Sequence, residues 1–244
     1  ISTEMKSVGE VMAIGRSFEE ALQKAFRMLN IRADGLLPSP ILFPPSTLKQ
    51  EMKIPSPRRM FAITQALAGE WTPEEINVLT GIDRWFLHRI QAITKHGHLL
   101  FQGKASALDV VTLCEAKRLG FSDASIAKIR DESFDQIRAR RLELALRPTV
   151  KQIDTLAGEF PARTNYVYMT YSGTTSDMDE SVSKKPRAIV IGGGPYSIGS
   201  SVEFDWCCVQ AVHELQAQGY EVTMINSNPE TGSTDYDEIG RAHV

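Results

Sequence analysis

The run Gly192-Gly-Gly-Pro-Tyr-Ser-Ile-Gly199 constrains this chain more than any other feature, because it lies between an apolar stretch and a long helical one. Ala188 to Ile191 reads as a buried strand. Residues from about Ser200 to Gln218 read as a helix ended by Gly219, and Glu221 to Asn226 as a second strand. Strand, glycine turn, helix and strand in that order begin a βαβ crossover unit. Free backbone amides and the positive end of the helix dipole then meet at the turn, which favours an anion. A tight turn with no ligand suits the same residues.

Spacing separates the ligand classes. The dinucleotide fingerprint needs G-x-G-x-x-G, whereas the gap from Gly194 to Gly199 is longer, and Glu221 precedes the second strand where the fingerprint has an acid at its end. No Gly-Lys-Ser or Gly-Lys-Thr follows, so a Walker loop is excluded. A nicotinamide oxidoreductase is therefore poorly supported.

Upstream, the pattern is helical. Ser17 with Glu20 forms a capping box, and Phe18, Ala21, Leu22, Ala25, Phe26 and Leu29 recur at helical spacing, which predicts one buried face. From Gly35 to Pro57 the chain carries Pro38, Pro40, Pro44, Pro45, Pro55 and Pro57, half of its 12 prolines, and reads as a linker. Short helices are then expected over Arg58 to Ala68, Pro73 to Thr80 behind Thr72, Asp83 to Lys95, Ala107 to Leu119, Ser122 to Ile129, and Ser133 to about Leu146. Their stripes, Trp85 and Phe86 included, are expected to be core. Tyr166 to Tyr171 alternate as a strand, and Ser172 to Lys185 is a polar boundary.

The 27 basic and 30 acidic residues give a net charge of −3, with only the short Arg138, Arg140, Arg141 cluster, so neither nucleic acid nor a membrane surface is indicated as a partner. Cys114, Cys207 and Cys208 contain no CxxC pair, which suggests reduced thiols, no metal site and a cytoplasmic setting. No run of about 18 apolar residues is present. Both ends look like cuts, and Glu238 to Val244 (Glu-Ile-Gly-Arg-Ala-His-Val) has the look of a translated sequencing adapter; it is expected to be a non-native tail outside the fold.

Two long strings carry a resemblance. Residues 192 to 208 (Gly-Gly-Gly-Pro-Tyr-Ser-Ile-Gly-Ser-Ser-Val-Glu-Phe-Asp-Trp-Cys-Cys) and 226 to 237 (Asn-Ser-Asn-Pro-Glu-Thr-Gly-Ser-Thr-Asp-Tyr-Asp) resemble the opening of the second synthetase half of carbamoyl-phosphate synthase large chains. Glu4-Met-Lys-Ser-Val-Gly-Glu-Val-Met-Ala-Ile-Gly-Arg16 is similar to the end of the first ATP-grasp half. Asp83-Arg-Trp-Phe-Leu-His88, Leu119-Gly-Phe-Ser-Asp123 and Val150-Lys-Gln-Ile-Asp-Thr155 resemble the intervening oligomerisation-type domain. Gly232 departs from the family pattern, which has a β-branched residue between Thr231 and Ser233.

The resemblance implies a mixed fold: an all-α central domain flanked by a C-terminal piece of an ATP-grasp domain and by a Rossmann-like, pre-ATP-grasp βαβ start. Residues 1–29 would close the first half, 30–185 form the helical domain with its linker, and 186–237 open the second half. It implies a parent ligase that makes carbamoyl phosphate from bicarbonate, ammonia and two ATP, with Mg2+ (or Mn2+), for arginine or pyrimidine synthesis. A glutaminase small subunit or fused glutaminase domain would be its partner, with a homo-oligomer formed through the helical domain. Carboxyphosphate and carbamate decompose quickly in water and must travel enclosed. Glu10, Glu203 and Glu230 match positions of that passage, where carboxylates accept hydrogen bonds from ammonia or the carbamate amine. Gly192, Gly193, Gly194 and Gly199 form the glycine-rich loop. No catalytic residue is expected within this stretch, and ATP is not expected to bind it tightly. The competing reading is a non-catalytic helical scaffold or regulatory module.

Overall fold

In the computed structural model of the chain, residues 11–29, 31–154, 158–160, 166–178, 185–194, 202–226 and 242–243 are described, without the side chains of 202–204 and 242–243. The chain divides into two compact units, residues 16–147 and residues 1–15 with 148–244. These structural divisions fall at 15/16 and 147/148; the family-segment boundaries that the resemblance implies are at 29/30 and 185/186. The first helix therefore belongs with the helical unit, and the first two strands with the sheet.

The helical unit runs α1 (Phe18–Met28), α2 (Pro45–Lys53), α3 (Arg59–Ala68), α4 (Pro73–Thr80), α5 (Arg84–Gln102), α6 (Val110–Arg118), α7 (Asp123–Arg130) and α8 (Phe134–Glu143). Its caps are local and chemically explicit. Thr72 and Ser133 each accept from the third amide of their helix while Glu75 and Gln136 reach back to the cap amide. Ser122 caps α7 in the same way through Ser125 N. At α1 the box is shifted: Ser17 Oγ accepts from Glu20 N at 3.2 Å, but the Glu20 carboxylate accepts from Arg16 N at 2.9 Å.

The core is built on α3 and α5. Phe61, Ala62, Ile63, Ala66 and Leu67 are all buried, so α3 is enclosed on several sides, and Leu87, Ile90, Ile93 and Leu100 give α5 a continuous inner face. Each such fully buried Leu, Ile or Phe contributes about 1.5–3 kcal/mol relative to exposure. The helix α5 continues past Lys95 through Gly97, and that glycine makes room for the Leu37 side chain: a Cβ there would stand 2.7 Å from Leu37 Cδ1.

Three expectations are corrected. The proline-rich linker contains α2, since Pro44 and Pro45 occupy the cap and first helical position, where no amide is needed, and Leu48 and Met52 then bury one turn apart. Trp85 and Phe86 are not core. They are 48% and 44% exposed and form an edge-on cluster with Phe18 at the amino end of α5. On α1 the most buried residues are Glu19, Glu20, Gln23 and Phe26, so the inward face is largely polar. Its partner is backbone: Gln23 Nε2 donates to Leu119 O at 3.1 Å and its Oε1 accepts from Leu36 N at 3.2 Å, while Arg27 Nη1 donates to Gly120 O at 2.6 Å. Gly120, at φ +88, carries this approach, since a Cβ would lie 2.9 Å from Glu20 Cα.

The second unit is a five-stranded sheet, β1 (Thr149–Gln152), β2 (Tyr166–Thr170), β3 (Arg187–Ile191), β4 (Glu221–Ile225) and β5 (Ala242–His243), in the order β1-β2-β5-β4-β3. β1 and β2 are antiparallel, with Thr149 opposite Thr170; the other pairings are parallel. The polar stretch after β2 is not merely a boundary, because Asp177 N donates to Val150 O at 2.8 Å and the Asp177 carboxylate pairs with Lys151. Ala242 and His243 were left out of the expected fold, yet they lie between β2 and β4. α9 (Val202–Ala217) packs on β3 and β4.

Candidate functional site

β3 and β4 lie side by side in register, Arg187 opposite Glu221 and Ile191 opposite Ile225, so both chains leave the sheet at one carboxyl edge. In open α/β sheets ligands meet the protein outside that edge. Val212 of α9 is buried against Val222 and Met224, which seats the helix over the two strands. The crossover expected from the glycine turn is thus formed, with α9 described from Val202.

The glycine loop starts directly after Ile191, the last residue of β3. Gly192 N donates to Ile225 O at 2.7 Å, and Gly194 N donates to Asn226 Oδ1 at 3.2 Å. Gly192 has no room for a side chain: a Cβ would lie 2.7 Å from Asn226 Cγ and 2.8 Å from Met224 Cε. Gly194 is needed for a different reason, its left-handed φ of +82. Two of the three described glycine amides are therefore committed to protein acceptors. This part of the loop works as a clasp against β4.

Asn226 was missed as a site residue. It is 6% exposed, directly follows β4, and uses its side chain to bind the opposite loop. Its signal was an amide side chain ending an apolar strand. That signal meant little until the facing glycine amide was known.

Gly192, Gly193 and Gly194 lie together at the carboxyl end of β3. Glu203 is the second residue of α9, placed by backbone, and its side chain is outside the described residues. Glu10, Gly199 and Glu230 also lie outside them. Residues 11–15, which follow Glu10 directly, belong to the same compact unit as the sheet.

Nearby titratable groups are few. Cys208 Sγ faces Ile191 O at 3.9 Å, and burial, then the charges of Asp205 and Cys207, push its thiol above the ordinary value, so it is a poor nucleophile. Among the described residues no group of three His, Cys, Asp or Glu is arranged to hold a metal ion. No helix among them is long and apolar enough to cross a membrane.

A strongly charged cluster lies in the helical unit. Lys117 Nζ stands 2.8 Å from Asp123 Oδ1, and Arg141 Nε donates to both oxygens of Asp123 at 3.2 and 2.9 Å. Burial alone would raise the Asp123 carboxyl, but the two cations together hold it below its usual range. Burial lowers the Lys117 ammonium, the Asp123 carboxylate offsets this only in part, and Arg141 and Arg27 nearby lower it further. This cluster fixes α6, α7 and α8 to one another.

Two family sequence models match the chain in order: "Carbamoyl-phosphate synthetase large chain, oligomerisation domain" over residues 10–145 and "Carbamoyl phosphate synthase preATP-grasp domain" over residues 184–243. The chain is 44% identical over 247 residues to the multifunctional protein CAD of Squalus acanthias, covering 100% of this chain and 11% of that protein. It is 44% identical over 247 residues to the mitochondrial carbamoyl-phosphate synthase (ammonia) of Mus musculus, with 100% and 16% covered. It is 44% identical over 245 residues to the carbamoyl phosphate synthase large chain of Rhodopirellula baltica, with 97% and 22% covered. The chain thus spans about a tenth to a fifth of the length of the curated relatives it matches.

Proposed function

Because the chain belongs to the carbamoyl-phosphate synthetase large-chain family, we propose that it is the junction segment of an ATP-dependent ligase that makes carbamoyl phosphate from bicarbonate, ammonia and two ATP. The observation that carries this reading is the succession, on one chain, of the oligomerisation match at 10–145 and the preATP-grasp match at 184–243. The helical unit is the spacer. Residues 184–243 open the second synthetase half, and residues before 16 close the first.

Within that plan Glu10, Glu203 and Glu230 line the passage for ammonia or carbamate. Support comes from the grouping of residues 11–15 with the sheet unit and from the start of α9 at Val202, which sets Glu203 in its first turn. A carboxylate in that turn is favoured by the helix dipole, and carboxylates accept hydrogen bonds from amines.

The described residues of this chain do not fit a nucleotide and magnesium site. They hold no cluster of metal-ligating side chains, and Gly192 and Gly194 spend their amides on protein acceptors. ATP and Mg2+ (or Mn2+) belong to the remainder of the parent. The glutaminase, separate or fused, supplies ammonia to it, in the cytoplasm on our reading. The helical unit is the surface through which parent chains associate, a reading supported by the oligomerisation-domain match over residues 10–145.

The purified chain should show no bicarbonate-dependent ATP hydrolysis, while the full-length protein containing it should form carbamoyl phosphate from bicarbonate, glutamine or ammonia, and ATP. Turnover by the isolated chain, or a full-length protein that makes no carbamoyl phosphate, would refute the proposal.

A further inference from the structure

The two strand exits lead to two of the passage carboxylates. Gly194 precedes Glu203 by nine positions through the turn into α9, and Asn226 precedes Glu230 by four beyond β4. Whatever fixes the distance between these exits fixes where both segments set out.

We propose that Asn226 is a positioning residue, a latch whose side-chain oxygen holds the glycine loop against the end of β4 so that the chain leading to Glu203 keeps a set separation from the chain leading to Glu230. The inference rests on the passage reading above and adds a residue to it. Three features support a latch in preference to an incidental contact. Asn226 is almost fully buried at a sheet edge, where an unfulfilled amide would be costly. Its acceptor faces a backbone amide of the opposite exit, so the bond spans the gap between the strands. Gly192 is shaped around it, since any β-carbon there would strike the Asn226 amide.

The ladder bonds of β3 and β4 continue the sheet only as far as Gly192 N and Ile225 O. Past that point the bond from Gly194 N to Asn226 Oδ1 joins the two exits. An aspartate at 226 keeps an oxygen to accept from Gly194 N. An alanine leaves that donor without its partner.

The test uses the full-length protein and measures ATP consumed per carbamoyl phosphate formed, beside the thermal midpoint. Wild type must first consume two ATP per product in a bicarbonate-dependent reaction; failure there removes the ligase reading itself and is distinct from failure of the latch. Asn226→Ala is expected to raise the ATP cost per product by roughly threefold or more, as intermediate is lost between the halves. Asn226→Asp should restore most of the coupling. Coupling equal to wild type in a folded Asn226→Ala protein overturns the latch, as does an aspartate variant as uncoupled as the alanine one. Should Asn226→Ala fail to fold, Gly192→Ala displaces the same amide from the other side. It is expected to uncouple similarly, and its remaining fully coupled would equally overturn the proposal.

Discussion

Replacing Asp123 by alanine is expected to destabilise the helical unit by about 3–5 kcal/mol, because two cations lose the carboxylate that compensates them. Lys117 is 6% exposed and Arg141 sits beside it, so neither charge can turn fully to water. The cluster joins three helices: α6 contributes Lys117, α7 begins with Asp123, and α8 contributes Arg141. Equilibrium urea unfolding of the chain, followed by far-ultraviolet circular dichroism, reads the loss. The pH dependence has a defined sign. The folded-state value of Asp123 is depressed below its unfolded value of about 3.9, so its stabilisation is complete above that pH and is lost as pH falls through the lower folded value. The wild-type unit should therefore lose stability in acid, whereas the alanine variant should show a flatter acid limb.

The second large effect is expected at Gln23. Gln23→Leu preserves volume and helical propensity but removes both ends of an amide that is wholly buried and bonded to backbone on two different loops. Leu36 N and Leu119 O then lose their partners inside the protein. At about 1–3 kcal/mol for each of the two unsatisfied groups, the expected loss is about 2–6 kcal/mol. Gln23→Glu should fare little better, since a carboxylate cannot donate to Leu119 O and would have to be buried beside Glu20. Comparing the two by urea midpoint separates lost donation from lost packing. Equal stability of Gln23→Leu and wild type would show that the loops find other partners.

These two residues also mark the limit of sequence reading. Ser17, Thr72, Ser122 and Ser133 announced helix starts correctly because a cap is a local bargain between one side chain and amides two or three residues away. The inner face of α1 was not local. Apolar spacing pointed to Leu22, Ala25 and Leu29, but the helix lies against backbone carbonyls and amides of the turns at 36 and 119–120, and Gln23 answers them better than leucine does. Similarly, prolines 44 and 45 suggested a linker, although at the cap and first position they cost a helix nothing.

Long-range pairing accounts for the rest. β1 has four residues with no alternation of burial, and it is a strand only because β2 lies antiparallel beside it. Ala242 and His243 pair with strands on both sides, a fact that no pattern in seven terminal residues reveals. At the candidate site the crossover and its glycines were legible from residue order. The bonds that Gly192 and Gly194 make were not, because their acceptors come from 32 or more positions away, in β4 and Asn226. The passage carboxylates rest on resemblance and on the grouping of residues 11–15 with the sheet unit.

The most direct test of the account is stoichiometric. In the full-length protein, Glu10, Glu203 and Glu230 are each replaced by alanine, and ATP hydrolysed is measured against carbamoyl phosphate formed with ammonia or glutamine as nitrogen source. A shielded route between two synthetase halves predicts that each replacement drives the ratio well above two, as carbamate or ammonia escapes to water. Ratios that stay at two, at wild-type rates, would contradict it.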